Sequence, residues 1–207
     1  MNSPLQSIGV FIDGGYYAKI NMALEQSCSA SINVSALMNF IRNEVSRISG
    51  SPLMECHITE SHFFRGRYRV HDANDKHLLF SERKFEDALI ENDVIFHYKH
   101  LREIEKGNSV TIVEKGVDVW FALEAYELSV FRNFDYVFLI TGDADHEMLV
   151  RKLKALKINV VLLTWNASSN NTTSTSKLLK DEACIHLELG DRVAEDPELF
   201  RTLCKKQ

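Results

Sequence analysis

No stretch of the sequence approaches the roughly 18 consecutive apolar residues that a membrane span requires, so no membrane partner is expected. Internal repeats and low-complexity tracts are also missing, and only three prolines interrupt the chain. Solenoid, collagen-like and linker architectures are excluded on that ground. The four cysteines, Cys28, Cys56, Cys184 and Cys204, lie far apart, with no CxxC pair to found a zinc site. They read as reduced thiols of a cytoplasmic protein. The N-terminal MNSPLQSIGVFIDGG lacks a basic segment followed by a long apolar one, which argues against a secretory signal. An excess of positive charge is lacking too. The net charge is -5 and the pI about 5.9, whereas a chain coated for non-specific nucleic-acid binding has a pI above ~9.

What is present is a core. With 207 residues and 45% hydrophobic content, the chain is the size of one globular domain that can bury an interior. Short β-branched runs alternate with stretches of helical period, the pattern of a parallel sheet covered by helices. Strands are expected at 8–12, 54–64, 94–97, 136–141, 159–164 and 185–187. Helices are expected at 16–25, 34–48, 74–91, 117–130 and 146–156. YVFLIT and INVVLLT are continuously apolar, as central strands buried on both faces are. The polar stretch 166–176 reads as a loop that caps a short helix at 177–180. One domain is expected over 1–189, with 190–207 as a loosely attached helical extension.

The placement of four aspartates carries the chemistry. In GVFIDGG, Asp13 ends an apolar strand, and in YVFLITGDAD, Asp143 and Asp145 follow another. Open α/β sheets place their ligands at the carboxyl edge of the strands, so two strands deliver carboxylates to one crevice. Asp118, in EKGVDVWFALEAYE, opens a helix where the dipole favours its charge. Glu124 follows it on the same helix, with Glu114 close by in sequence. Crowded carboxylates repel one another unless a cation lies between them, and hard oxygen donors suit Mg²⁺ or Mn²⁺ better than zinc. Taken singly, Asp13 also reads as a βα turn residue and Asp143 as a helix N-cap. The GxGxxG and GxxxxGK[ST] phosphate-binding patterns are absent.

The segments VFIDGGYY, KGVDVWFALEAYE, YVFLITGDADHEMLV and STSKLLKDEACIHLEL resemble, in order and spacing, the NYN domain family, specifically the LabA-like branch of the PIN-domain-like nucleases. The resemblance implies a Rossmann-like (PIN-like) three-layer α/β sandwich with a mostly parallel central sheet. It also implies a metal-dependent endoribonuclease whose acids hold Mg²⁺ or Mn²⁺. Carried over by position, Asp13, Asp118, Asp143 and Asp145 match the acidic residues, and Glu124 stands where the family usually has an aspartate. Tyr16 and Tyr17 take the place of an asparagine that commonly follows the DG pair. His146 and Glu147 replace an aromatic-containing continuation.

An acidic chain that acts on RNA, single-stranded or structured, needs local positive charge. RGRYR supplies Arg65, Arg67 and Arg69 around Tyr68, just after a predicted strand, where arginine forks can grip phosphate and the ring can stack on a base. A solvated basic loop is the plain alternative. Lys115 lies beside the acids. Tyr16 reads either as a base-stacking wall of the crevice or as a buried aromatic at a helix start. His97 and His100, three apart on a strand-to-loop segment, do not make a metal pair. Two other functions stay open: a non-catalytic RNA-binding or regulatory module, and a phosphatase, although the DxD nucleophile motif of one phosphatase class is missing where DGG stands. A homodimer is the base-rate expectation for the assembly.

Overall fold

A computed structural model describes residues 5–69, 76–106, 109–168 and 171–206. In chain order its elements are β1 (Gln6–Asp13), α1 (Gly14–Cys28), β2 (Ala30–Ile32), α2 (Val34–Ser49), β3 (Cys56–Arg67), α3 (Lys76–Ile90), β4 (Ile95–His100), β5 (Arg102–Lys106) and β6 (Ser109–Val113). There follow α4 (Val117–Arg132), β7 (Tyr136–Ile140), α5 (Glu147–Ala155), β8 (Asn159–Thr164), α6 (Lys177–Glu182), β9 (Ile185–Glu188), α7 (Leu189–Glu195), α8 (Pro197–Leu203) and β10 (Cys204–Lys206).

Six strands form one parallel sheet in the order β4-β3-β1-β7-β8-β9. From β1 the chain steps outward to β3 and β4, then crosses back to β7 and steps outward the other way. That reversal makes the gap between β1 and β7 a topological switch point, where neighbouring crossovers leave on opposite faces and open a crevice. The expected Rossmann-like α/β sandwich is therefore the architecture found.

Both faces of the sheet are covered, which is why its central strands are apolar throughout rather than alternating. Ile8, Val10, Ile12, Phe63, Phe138, Ile140, Val161 and Leu163 join the side chains of α1 and α2 in one buried layer. Phe11, Phe64, Val137, Leu139, Val160 and Leu162 join Val117, Phe121, Leu149 and Leu153 of α4 and α5 in the other. Asn33 caps α2 and Gly50 ends it with φ +72°, while Asn133 closes α4 at φ 51°.

The structure corrects several boundaries. β3 continues through Arg67, so Arg65 and Arg67 lie on a strand rather than on a loop after one. The antiparallel hairpin β5–β6 and the small pairing of β10 with β2 were not expected. Positions 74 and 75 of the predicted third helix lie outside the described residues. The C-terminal segment is two short helices and a strand, held in place rather than loose: Leu203 is fully buried, Asn33 N–H donates to the Leu203 carbonyl at 2.8 Å, and Arg192 pairs with Glu44 at 2.7 Å.

Candidate active site

β1 ends at the switch point with Asp13, whose two carboxylate oxygens have separate partners. Oδ1 accepts from the Tyr16 backbone N–H at 3.0 Å, capping α1, and Oδ2 accepts from the Thr141 hydroxyl at 3.0 Å. Thr141 is 0% exposed and directly follows β7. Its Oγ1 also accepts from Asp143 N–H at 3.3 Å, and Asp143 Oδ1 in turn accepts from Asp145 N–H at 3.0 Å. One hydrogen-bonded chain thus ties the acid of β1 to both acids after β7. Thr141 was not singled out from the sequence, although a hydroxyl between two strand-end acids was legible there.

Two further carboxylates arrive after β6, Glu114 from the turn before α4 and Asp118 from the first turn of α4. Gly116 takes φ +77°, a left-handed turn that starts α4 and leaves Asp118 in its first turn. Glu114 accepts a short hydrogen bond from Gly66 N–H at the end of β3. A Cβ placed on Gly15 would lie 3.2 Å from Asp13 Oδ1 and 3.8 Å from Glu114 Oε1, so these two carboxylates flank that glycine.

The electrostatics record the same crowding. Burial, then the charges of Asp13 and Asp118, raise the Glu114 carboxyl above its ordinary value, against the Gly66 N–H and Arg65. Burial, then Asp13, Asp143 and Asp145, raise Asp118, against His146. His146 is 1% exposed and packs its ring 4.6 Å from Phe121, and its Nε2 has no hydrogen-bond partner among the described residues. A buried polar atom in that state ordinarily signals a bound water or ion, or a functional role.

The remaining sequence-predicted residues are placed elsewhere. Glu124 accepts from Trp120 Nε1–H at 3.1 Å, and its charge acts on His62 and His97. Six residues along a helix turn a side chain about 120° from Asp118, which is why Glu124 joins a different group. There, His62 Nδ1 and His97 Nε2 are 2.9 Å apart beneath α4, and both imidazoles titrate below their ordinary value, chiefly through burial. Arg67 is bound to Glu86 at 3.2 Å and stacks over Tyr98, so its fork is already committed. Arg65 stays near the acids, lowering the pKa of Glu114. Lys115 and Arg69 are exposed, and Tyr68 is partly buried.

Tyr16 is 5% exposed and does not wall the crevice. Its hydroxyl accepts from Trp165 N–H and donates to the Thr173 carbonyl, each at 3.1 Å, and its ring packs against Gly142. It braces the loop that carries Asp143. Tyr16→Phe strands the buried Trp165 amide, and a loss of about 2 kcal/mol is expected, or roughly 4–8 °C in melting temperature. Calorimetry checks this, and an unchanged melting temperature would contradict the bracing role.

The donors fit a hard divalent cation in type and charge. Among the described residues no three histidine, cysteine, aspartate or glutamate side chains converge closely enough to chelate an ion directly. Mg²⁺ commonly keeps several waters and takes only one or two carboxylates, so the arrangement suits a partly hydrated ion. A group raised above its ordinary pKa contributes stability that is present below the ordinary value and lost as pH rises through the raised one. Burial of Glu114 and Asp118, and after it repulsion from their acidic neighbours, therefore lowers stability at neutral pH, where a divalent ion would offset it. An ion at 100 times its dissociation constant adds about 2.7 kcal/mol, roughly 5–11 °C in melting temperature for a chain of this size. The expected increment at pH 7.5 with Mn²⁺ shrinks toward pH 5, as protons compete for the carboxylates. Thermal unfolding with and without Mn²⁺ measures it, and an equal increment from Na⁺ at matched ionic strength would count against a specific site.

The described helices include none long and apolar enough to cross a membrane. Comparison with known proteins finds that the sequence profile of the NYN domain matches residues 7–188. No curated protein matches the chain. Among solved structures, the fold is similar to the crystal structure of a protein of unknown function from Vibrio parahaemolyticus RIMD 2210633, at a TM-score of 0.55 and 17% identity, over 92% of this chain and 97% of that one. At that identity the likeness speaks to the fold alone.

Proposed function

The chain belongs to the NYN domain family, and from that premise we propose that it is a metal-dependent endoribonuclease of the LabA-like branch, hydrolysing phosphodiester bonds of RNA in the cytoplasm. The observation that carries this reading is the hydrogen-bonded chain Asp13–Thr141–Asp143–Asp145 across the β1/β7 switch point, with Asp118 and Glu114 electrostatically coupled to it.

Asp13, Asp118 and Asp143 are the residues that would hold Mg²⁺ or Mn²⁺, with Asp145 beside them. When bound, such an ion supplies positive charge to the scissile phosphate and makes a bound water more acidic. Asp13 is held in one orientation by its two hydrogen bonds, so little rearrangement is needed to present its charge. Glu114 Oε1 has no hydrogen-bond partner among the described residues and lies on the side of Gly15 that Asp13 also flanks, and the raised pKa of Glu114 suits it to take the proton of the attacking water at that atom. Arg65, at the rim, is the cation placed to meet a phosphate oxygen.

A second reading, a non-catalytic RNA-binding or regulatory module, is favoured by the lack of three converging donors among the described residues. Incubation of the purified protein with unstructured and hairpin RNAs in Mg²⁺ or Mn²⁺ separates the two. Cleavage that EDTA abolishes is the expected outcome. Binding without turnover across ions and substrates would replace the first reading with the second.

A further inference from the structure

We propose that a groove between α1 and α3 is the track for single-stranded RNA on one side of the scissile phosphate. It leads from Arg65 at the rim of the acidic site to Lys205 and Lys206 on β10. The proposal rests on the endoribonuclease reading for its direction, since the acids define where the strand is cut.

Three adjoining pockets of about 160, 330 and 580 Å³ form the groove, and Phe85 of α3 lines all of them. The first lies against Arg65 and Gly66 at the end of β3, the second also touches Arg65, and the third reaches Lys205 and Lys206. The groove therefore adjoins the site through Arg65 and through Gly66, whose N–H donates to Glu114.

Its far wall has the composition that recognises an unpaired strand. Phe80 is 72% exposed, a large ring facing water, and Lys84 follows it one helical turn later on the same face of α3. Lys84, Lys205 and Lys206 are exposed and have no ion-pair partner among the described residues. Arg67, which also lines the groove, is by contrast neutralised by Glu86. Glu82, 3.9 Å from Arg67, and Glu25 also line the groove, so its positive excess lies in the third pocket, which no acid lines and where three unpaired lysines around one exposed ring favour a polyanion. Stacking on a ring requires a base that is not already paired, which selects a single strand over a duplex. The family match ends at residue 188, so β10 and its two lysines belong to the segment beyond it. The strand track thus runs onto the segment that follows the family match.

The test uses fluorescence anisotropy on the full chain carrying Asp13→Asn, so that binding is read without turnover. Unstructured RNAs of about 4 and about 16 nucleotides probe the site alone and the site plus groove. Changing Lys84, Lys205 and Lys206 together to glutamine is expected to weaken the longer RNA at least tenfold and leave the shorter one within twofold. The salt dependence of the longer RNA should flatten by about 2 in log–log slope, from three lost phosphate contacts. Phe80→Ala alone is expected to cost fivefold or more on the longer RNA. Both sets change exposed side chains, and an unchanged melting temperature confirms that folding is intact. If both variants bind the longer RNA as the parent does, the groove assignment falls, while cleavage by the unsubstituted chain would still support the nuclease reading. If the length dependence is lost as expected but no RNA is ever cleaved, the groove stands and the nuclease reading falls. Equal binding of heparin or duplex RNA would overturn the single-strand assignment.

Discussion

Asp13→Asn is expected to slow RNA cleavage about 10²–10³-fold while leaving the fold in place. Asparagine keeps a side-chain oxygen for the Tyr16 N–H that Asp13 Oδ1 now accepts, so the cap of α1 survives. Its amide can donate to Thr141 Oγ1, whose hydroxyl then turns away. What disappears is the negative charge at the centre of the crevice. Metal-assisted stabilisation of a phosphoryl transition state is worth several kcal/mol, so a fall of about 10²–10³-fold in turnover is expected. The Mn²⁺-dependent rise in melting temperature should vanish with it. Removing one of several repelling carboxylates also relieves Glu114 and Asp118, so stability without metal should hold or rise slightly. An Asp13→Asn protein that unfolds near the parent temperature and still cleaves RNA at the parent rate would remove Asp13 from the mechanism.

The neighbouring glycines separate folding from function. A Cβ on Gly14 would lie 2.5 Å from the Phe64 carbonyl oxygen, 2.7 Å from the Phe63 ring and 2.8 Å from the Arg65 Cβ. The first of these is backbone of the paired strand β3 and has nowhere to go. Overpacking of a buried site costs 1–3 kcal/mol and occasionally more, and Gly14→Ala should fall at or beyond about 3 kcal/mol, roughly 6–12 °C in melting temperature. A Cβ on Gly15 meets only the Asp13 and Glu114 carboxylate oxygens, at 3.2 and 3.8 Å. Gly15 is helical, and alanine is preferred over glycine there by up to ~1 kcal/mol. Gly15→Ala is therefore expected to fold normally and to lose both Mn²⁺ stabilisation and cleavage, because its methyl group stands between the two acids. Calorimetry and a cleavage assay on the two variants decide this, and a destabilised, active Gly15→Ala protein would contradict the placement of Glu114.

Much of this arrangement was legible in the sequence because strand-end acids are a local signal. GVFIDGG and YVFLITGDAD each show an apolar run, an acid and a glycine, and parallel pairing of two such strands brings their ends together whatever lies between. The left-handed turn of KGVD could likewise be anticipated from its glycine. What could not be read was set by tertiary packing. Tyr16 read more readily as a buried aromatic than as a wall of the crevice, and its burial depends on a loop 149 residues later in the chain. Glu124 looked like a metal ligand because it shares a helix with Asp118, but the helical twist sends it to Trp120 and the paired histidines. Arg65 and Arg67 looked alike, and β3 separates them by partner: one stays beside Glu114, the other is taken by Glu86. β2 and β10, three residues each, are too short to show a period and exist only because they pair with each other.

The central claim is that the acids at the β1/β7 switch point hold a catalytic divalent ion. Its most direct test is the anomalous-scattering map of a crystal soaked in Mn²⁺. A peak bound by Asp13 together with Asp118 or Asp143, directly or through one water, is the predicted result. A map with Mn²⁺ elsewhere, at His62 and His97 for instance, or with no ion between these aspartates at saturating concentration, would contradict the account.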